Sequence, residues 1–239
     1  MMGLSLSRRA RLGLLALFAL SLLLLLPMRM AFGLFGMDRY GVTARSMAGS
    51  VWAGRIGQLG IGEVPLGTLD AGLSPLQLLV GRARINVASR DGTNALAGGL
   101  TSGIGRTGID DVTGTLPLGV AAAPLPISAV ELTEVSAHFA GNACADAQGQ
   151  VRARIAGAAG GLNLAQGLSG TARCEGAALL LPLVSQSGLE KLDVRLSANG
   201  RYIAELRVTT SDPALAQELM AQGFARAGEV LAIRVEGTL

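Results

Sequence analysis

Histidine occurs once in this chain, as His138, and cysteine twice, as Cys144 and Cys174. A closed zinc site needs about four nitrogen or sulfur ligands, and no Cys-x-x-Cys spacing supplies a pair of them, so no metal centre is expected. Aromatic residues make up 3% of the 239 residues, with one tryptophan. So few rings give single-stranded nucleic acid no stacking platform. The formal charge of +3 is not a nucleic-acid footprint either: without Arg8, Arg9, Arg11 and Arg29, 16 basic residues face 17 acidic ones. The sequence implies neither a cofactor nor a nucleic-acid partner.

Long apolar runs are also missing, with one exception. Leu12 to Pro27 holds ten leucines and no charge, and three arginines precede it. Ten mid-helix leucines favour bilayer insertion by about 5 kcal/mol, and basic flanks stay on the cytoplasmic side. Residues 1–11 are therefore expected in the cytoplasm, 12–34 as a transmembrane anchor and 40–239 as one exported domain. A cleaved signal peptide has the same basic start and apolar core, but the run ends in Pro27-Met28-Arg29-Met30 without an obvious Ala-x-Ala. The uncharged run rises only about 24 Å against a hydrocarbon core of about 30 Å, so an anchor needs Met28 to Leu34 as well, with Arg29 snorkelling. In either case the domain is exported. An isolated cysteine pair in an oxidising compartment forms a disulfide, with two buried thiols as the alternative. Closing that loop would contribute about 3.5 kcal/mol on the chain-entropy model.

Thirty-four glycines, few lysines and no long amphipathic run beyond the anchor favour strands joined by tight turns. The fold class expected is mainly β: a Gly-rich, curved antiparallel sheet or sandwich-like domain with a short C-terminal helix. Arg82, Arg84 and Asn86 alternate with Ala83, Ile85 and Val87 as in a half-buried strand. Leu76 to Val80, after Ser74-Pro75, reads as a short turn or helix, and Asn94 to Gly119 carries only weak strand signals. Ala121 to Pro126 is the expected linker. Two alternating segments, Leu192 to Leu196 and Tyr202 to Val208, flank Asn199-Gly200 and predict a type I′ hairpin. Asp212-Pro213 opens a helix that stops at Gly223, with Leu215, Leu219 and Met220 as its apolar stripe. A last strand spans Val230 to Val235.

The sequence offers fragments of catalytic patterns, and none is complete. Gly103-x-Gly105-x-x-Gly108 matches the dinucleotide fingerprint, but Asp110-Asp111-Val112-Thr113-Gly114 follows where a helix must start. His138 could pair with Ser136 as nucleophile and Glu134 as orienting acid, yet no nucleophile elbow surrounds the serine. A packed or solvated histidine is the simpler reading. Asp110-Asp111 reads as a turn, and Glu131 with Glu134 as a solvated strand face.

Several blocks carry a resemblance. They are Gly49-Ser50-Val51-Trp52-Ala53-Gly54-Arg55, Leu66-Gly67-Thr68-Leu69 leading to Ser74-Pro75-Leu76, and Leu79-Val80-Gly81-Arg82. The pattern resumes at Cys174-Glu175-Gly176-Ala177, Leu179 to Leu183, Ser185-Gln186-Ser187-Gly188, Asn199-Gly200-Arg201-Tyr202 and the Asp212-Pro213 helix. The chain resembles the type II secretion system protein N family, thinnest between Asn94 and Pro126. That resemblance implies an accessory inner-membrane component with a periplasmic β-rich domain, no enzymatic activity, and other inner-membrane platform subunits as partners. Within it, Trp52 is a candidate interface residue, since tryptophan is enriched at hot spots; the plainer reading places it in a core beside glycines. The second functional reading is a lipid- or acyl-chain-binding β-groove.

Overall fold

The computed structural model describes residues 7–30, 42–62, 64–90, 95–119, 123, 125, 127–155 and 166–238. The strands are β1 Val42–Thr43, β2 Ser46–Gly49, β3 Gly54–Ile61, β4 Val64–Leu73, β5 Arg82–Ser89, β6 Ala97–Gly103, β7 Arg106–Pro117 and β8 Ile127–Ala140. They continue as β9 Ala143–Ile155, β10 Leu168–Thr171, β11 Arg173–Glu175, β12 Ala178–Ser185, β13 Glu190–Leu196, β14 Arg201–Thr209, β15 Ala225–Ala227 and β16 Val230–Thr238. Among the described residues, helices α1 Arg8–Leu24, α2 Pro75–Leu79 and α3 Pro213–Ala221 accompany them. All the strands belong to one antiparallel sheet, ordered β1-β3-β4-β5-β6-β7-β8-β9-β10-β12-β13-β14-β16-β15, with β2 also on β3 and β11 also on β12. The sheet is open and single, rather than two sheets packed as a sandwich. From β3 to β10 each strand pairs with its successor, the economical result of short turns between alternating segments.

Such pairing sends alternate turns to opposite ends of the sheet. Ser50–Ala53, α2, Ile104-Gly105, Gly141-Asn142, Gly176-Ala177 and the β13–β14 turn share one end. Backbone bonds join some of these turns, from Gly141 N to the Gly105 carbonyl at 3.1 Å and from Cys144 N to the Ala177 carbonyl at 3.0 Å. The residues after α1 reach the same end. Pro27 forms an antiparallel bridge with Ser50, and Val51 N donates to the Leu26 carbonyl at 3.0 Å. Met28 packs on the smaller core of Ile56, Leu59, Leu69 and Ala71, over Gly54, where a β-carbon would collide with its sulfur.

α1 has 17 residues and a rise of about 26 Å. No helix among the described residues is long and apolar enough to cross a membrane. Residues 31–34 of the expected anchor lie outside the described residues.

The main core joins β8 to β10, β12 to β14, β16 and the inner side of α3, with Leu168, Val151, Leu192, Leu206, Val208, Leu219 and Leu231 fully buried. Each such leucine favours the fold by about 1.5–3 kcal/mol relative to an exposed one. α3 begins where expected, the Asp212 carboxylate accepting from Ala214 N at 2.9 Å. Its inward stripe is Ala216 and Leu219, whereas Met220 faces solvent, because the inward face lies a fraction of a turn from the one the leucines suggested.

Other expectations are corrected. Asn94 to Gly119 contains two well-paired strands, β6 and β7, whose signals glycine and threonine had weakened. By contrast, the short turn or helix read after Ser74-Pro75 is a helix as far as Leu79, and the 121–126 linker lies mostly outside the described residues, with Leu125 buried. The β13–β14 hairpin is present, but Gly200 alone takes positive φ, at 81°, while Asn199 does not. Gly200 N donates to the Ser197 carbonyl at 3.0 Å and Ser197 N to the Arg201 carbonyl at 2.8 Å. This is a three-residue loop with a left-handed glycine, not a type I′ turn.

Among the described residues, three non-glycine residues take left-handed φ: Gln58, Asp111 and Glu134, all at 51°. Each sits at a register shift in β3, β7 or β8. These are β-bulges, which bend a strand and increase its twist. Across from the Glu134 bulge, Gly149 (φ 107°) lies so close that a β-carbon would overlap the Glu134 carbonyl. Gly149→Ala is expected to lower stability by more than about 2 kcal/mol, whereas Glu134→Gly, which relieves left-handed strain, raises it by about 0.5–1 kcal/mol. Urea unfolding of the two variants beside the parent measures both signs.

Candidate functional site: a charged chain across five strands

The most extensive polar cluster crosses β5 to β9 near the α1 end of the sheet. His138 on β8 pairs directly with Gly108 on β7, and its ring lies where a β-carbon on that residue would be. The absent side chain lets the imidazole reach both ways. Nε2 contacts Asp110 Oδ1 at 2.7 Å and Nδ1 contacts Asp146 Oδ2 at 2.7 Å. Arg84 on β5 continues the chain to Asp110 at 3.5 Å, and Arg106 continues it from Asp146 at 3.7 Å. Gln77, Arg82 and Ser102 line the rest of a shallow groove of about 330 Å³.

Two carboxylates on one imidazole favour its charged form. Partial burial pulls the His138 pKa down, but the hydrogen bonds to Asp146 and Asp110, with their charges, outweigh it and hold the value above the usual 6.5. With both ring nitrogens engaged by acids, the site favours the imidazolium form and completes a salt-bridge chain when the ring is protonated. No serine or cysteine stands within its hydrogen bonds.

The residues considered for a catalytic set have structural roles. Ser136 is buried; its hydroxyl accepts from Asp111 N at 2.9 Å and donates to Asp111 Oδ1 at 3.3 Å, closing the β7 bulge. Glu134 N donates to Thr113 Oγ1 at 3.0 Å across the next bulge, and Glu131 forms an ion pair with Arg154. Asp110-Asp111 is therefore a bulge inside a strand, not a turn. Gly103, Gly105 and Gly108 belong to the β6–β7 hairpin, with no helix after them. No group of three or more potential metal ligands occurs among the described residues.

Cys144 and Cys174 stand at disulfide distance, with 5.5 Å between their Cα atoms, linking β9 to β11. Trp52 is half-buried in the β2–β3 turn, where its carbonyl would meet a β-carbon on Gly72. It borders a broad groove with Arg55 and Asp70, and Asp70 is gripped by Arg90 at 2.7 Å and Arg55 at 3.3 Å.

At the far end, the Ser185-Gln186-Ser187-Gly188 block surrounds a buried carboxylate. Ser185 and Ser187 hydroxyls donate to Glu190 Oε2 at 2.5 and 2.6 Å, and Gly188 N donates to the Ser185 carbonyl at 3.1 Å. On β13 and β14, Asp193 lies directly opposite Glu205, and Arg207 reaches both, at 3.1 and 2.7 Å. The Arg207 hydrogen bond holds the Glu205 carboxyl below its ordinary range, against a smaller opposing effect of burial.

Sequence reasoning missed Asp146 and Arg106 as partners of His138. The alternation of Arg82, Arg84 and Asn86 was legible, but which carboxylates Arg84 meets depends on register across two further strands.

Ion-pair chains, bulge locks and a hydroxyl-capped turn are thus what these polar residues build in the sheet. Residues 40–234 match the family model described as type II secretion system (T2SS), protein N, and the chain belongs to that family. No curated protein and no solved structure matches the chain.

Removing the Glu190 carboxylate with Glu190→Ala leaves two hydroxyls without their acceptor and is expected to cost about 2 kcal/mol in urea unfolding. His138→Gln should show a pH signature. The raised native pKa means that the stability from His138 is fully present below about pH 6.5 and is lost as pH rises through the higher native value. The gap between parent and variant therefore narrows from acid to alkaline pH, as unfolding midpoints across that range will show.

Proposed function

We propose that this chain is an accessory inner-membrane component of the type II secretion system, whose β domain, residues 40–239, acts as a non-enzymatic assembly module in the periplasm. The family match over residues 40–234 is the observation that carries the reading. In it, the anchor lies within residues 12–34 and leaves the bilayer near Leu26, where Pro27 and Met28 join the sheet; residues 1–11 remain cytoplasmic, and Cys144 and Cys174 are joined as a disulfide. Anchoring restricts the domain to the membrane plane and raises its effective concentration beside other platform subunits. The open sheet offers two edges, β1 with β2 and β15, and an added strand from a platform subunit or a secreted protein would continue the ladder there. Trp52, in the turn that starts β3, is the proposed side-chain contact beside the first edge.

A lipid- or acyl-chain groove remains the competing function. The grooves near Arg84 and Arg55 are open and partly charged, which favours the assembly reading.

A photo-crosslinking residue at Ser46 on β2 or Arg226 on β15 should yield adducts with secretion subunits in cells, and deletion of the gene should reduce release of folded periplasmic proteins. Stoichiometric acyl lipid on the purified chain, with no adduct, would favour the groove. In spheroplasts, a membrane-impermeant maleimide should label Glu229→Cys at once but reach Cys144 and Cys174 only after reduction. Labelling of all three only after lysis would reverse the topology.

A further inference from the structure

We propose that α2 and the β6–β7 turn form a second, peripheral contact with the bilayer, their aliphatic side chains entering the interface and Arg82, Arg84 and Arg106 meeting phosphates of anionic phospholipids. The proposal rests on the reading of α1 as a membrane anchor.

Three independent observations converge on this end of the sheet. The first is exposure. α2 buries none of its five residues, and Leu76, Leu79 and Val80 are 75%, 83% and 69% exposed. Ile104, at the tip of the adjacent hairpin, is 100% exposed. β5 and β6 pair through Arg82 and Gly103, so the two apolar tips stand side by side. Other large exposed aliphatics of the described domain, such as Ile61, Leu189 and Met220, lie towards the opposite end. A solvated protein has no reason to gather its aliphatic surface at one tip unless something covers it.

The second is continuity with α1. Val51 N bonds the Leu26 carbonyl at 3.0 Å, and Leu73 N bonds the Val51 carbonyl at 2.9 Å. Leu73 immediately precedes Ser74, the N-cap of α2. The end of the apolar run and the start of α2 are therefore separated by two backbone hydrogen bonds, roughly 10 Å at the spacing of adjacent strands. If α1 leaves the bilayer near Leu26, α2 is held at interfacial depth, where amphipathic segments bury their apolar side about 5–10 Å into the headgroup boundary.

The third is charge. Arg82 lies three residues beyond the end of α2, Arg106 two beyond Ile104, and Arg84 two beyond Arg82 in the same groove. Among the described residues Arg82 makes no ion pair, and Arg106 is exposed with only the 3.7 Å contact to Asp146. Asp110 and Asp146 also line the groove, but His138 lies between them and takes a contact from each. Guanidinium groups beside aliphatic tips suit a surface of phosphodiesters above acyl chains.

Spin labels on the full chain, reconstituted in phosphatidylcholine–phosphatidylglycerol vesicles with the native cysteines oxidised, test this. Leu79→Cys and Ile104→Cys alter exposed side chains and leave the core intact. Their labels should be relaxed by membrane-dissolved oxygen and shielded from a water-soluble nickel chelate. A label on Leu189→Cys, at the other end of the sheet, should behave oppositely, while Leu17→Cys reports α1 alone. A buried label at Leu17→Cys with water-accessible labels at Leu79→Cys and Ile104→Cys overturns the proposal and leaves the anchor standing. Water-accessible labels at all three end the anchor reading and the proposal together. Arg82→Glu with Arg106→Glu should raise nickel accessibility at Leu79→Cys several-fold; an unchanged value removes the phosphate contact from the proposal.

Discussion

Sixteen strands on one backbone hydrogen-bond ladder leave little freedom in where the connections go. Antiparallel neighbours alternate direction, so every second turn returns to the same end of the sheet. Leu26 and Pro27 are stitched to the β2–β3 turn, and that places α1, α2, the β6–β7 hairpin and the cysteine link at one end. The Ser185–Ser187 turn and α3 go to the other. Without the ladder, Gly49 to Arg55 would be an isolated turn and the aliphatic residues of α2 an unrelated surface feature.

Bulges modify this ladder. Gln58, Asp111 and Glu134 accept a conformation that L-residues avoid, at a cost of about 1 kcal/mol or more each. Side chains from a neighbouring strand hold two of them there: Ser136 closes the bulge at Asp111, and Thr113 meets the Glu134 amide. A buried serine beside a lone histidine suggests chemistry when the chain is read alone; in the sheet its hydroxyl is occupied with backbone geometry. The Ser-Gln-Ser-Gly block has the same character, for its hydroxyls serve the Glu190 carboxylate. The short blocks that mark the family here build joints: one ties the post-α1 residues to the sheet, the other folds the β12–β13 turn.

Charge follows register. Asp193 and Glu205 would repel across β13 and β14, and Arg207 between them converts that juxtaposition into a bridge. His138 does the same between Asp110 and Asp146, with Arg84 and Arg106 at the ends of the chain. Individually such exposed pairs contribute little. Collectively they tie five successive strands on the side where glycines leave room, Gly108 beneath the imidazole and Gly99 beside the Arg84 guanidinium.

Strand alternation, the Asp212-Pro213 helix start, the Asn199-Gly200 reversal and the family could be read from sequence, because each depends on residues close together in the chain and on a period of two or 3.6. The same local reading mistook the Asp110-Asp111 bulge for a turn, expected a type I′ hairpin at Asn199-Gly200, and undervalued the Gly-rich β6 and β7, since bulges and partners are fixed by the neighbouring strand. Which acids hold His138, that Met28 rests on Gly54, and that α2 stands beside Ile104 were decided only by tertiary structure. Residues 28 and 54, or 82 and 103, come together through the pairing of the strands, and one residue of slippage would turn every side chain to the opposite face.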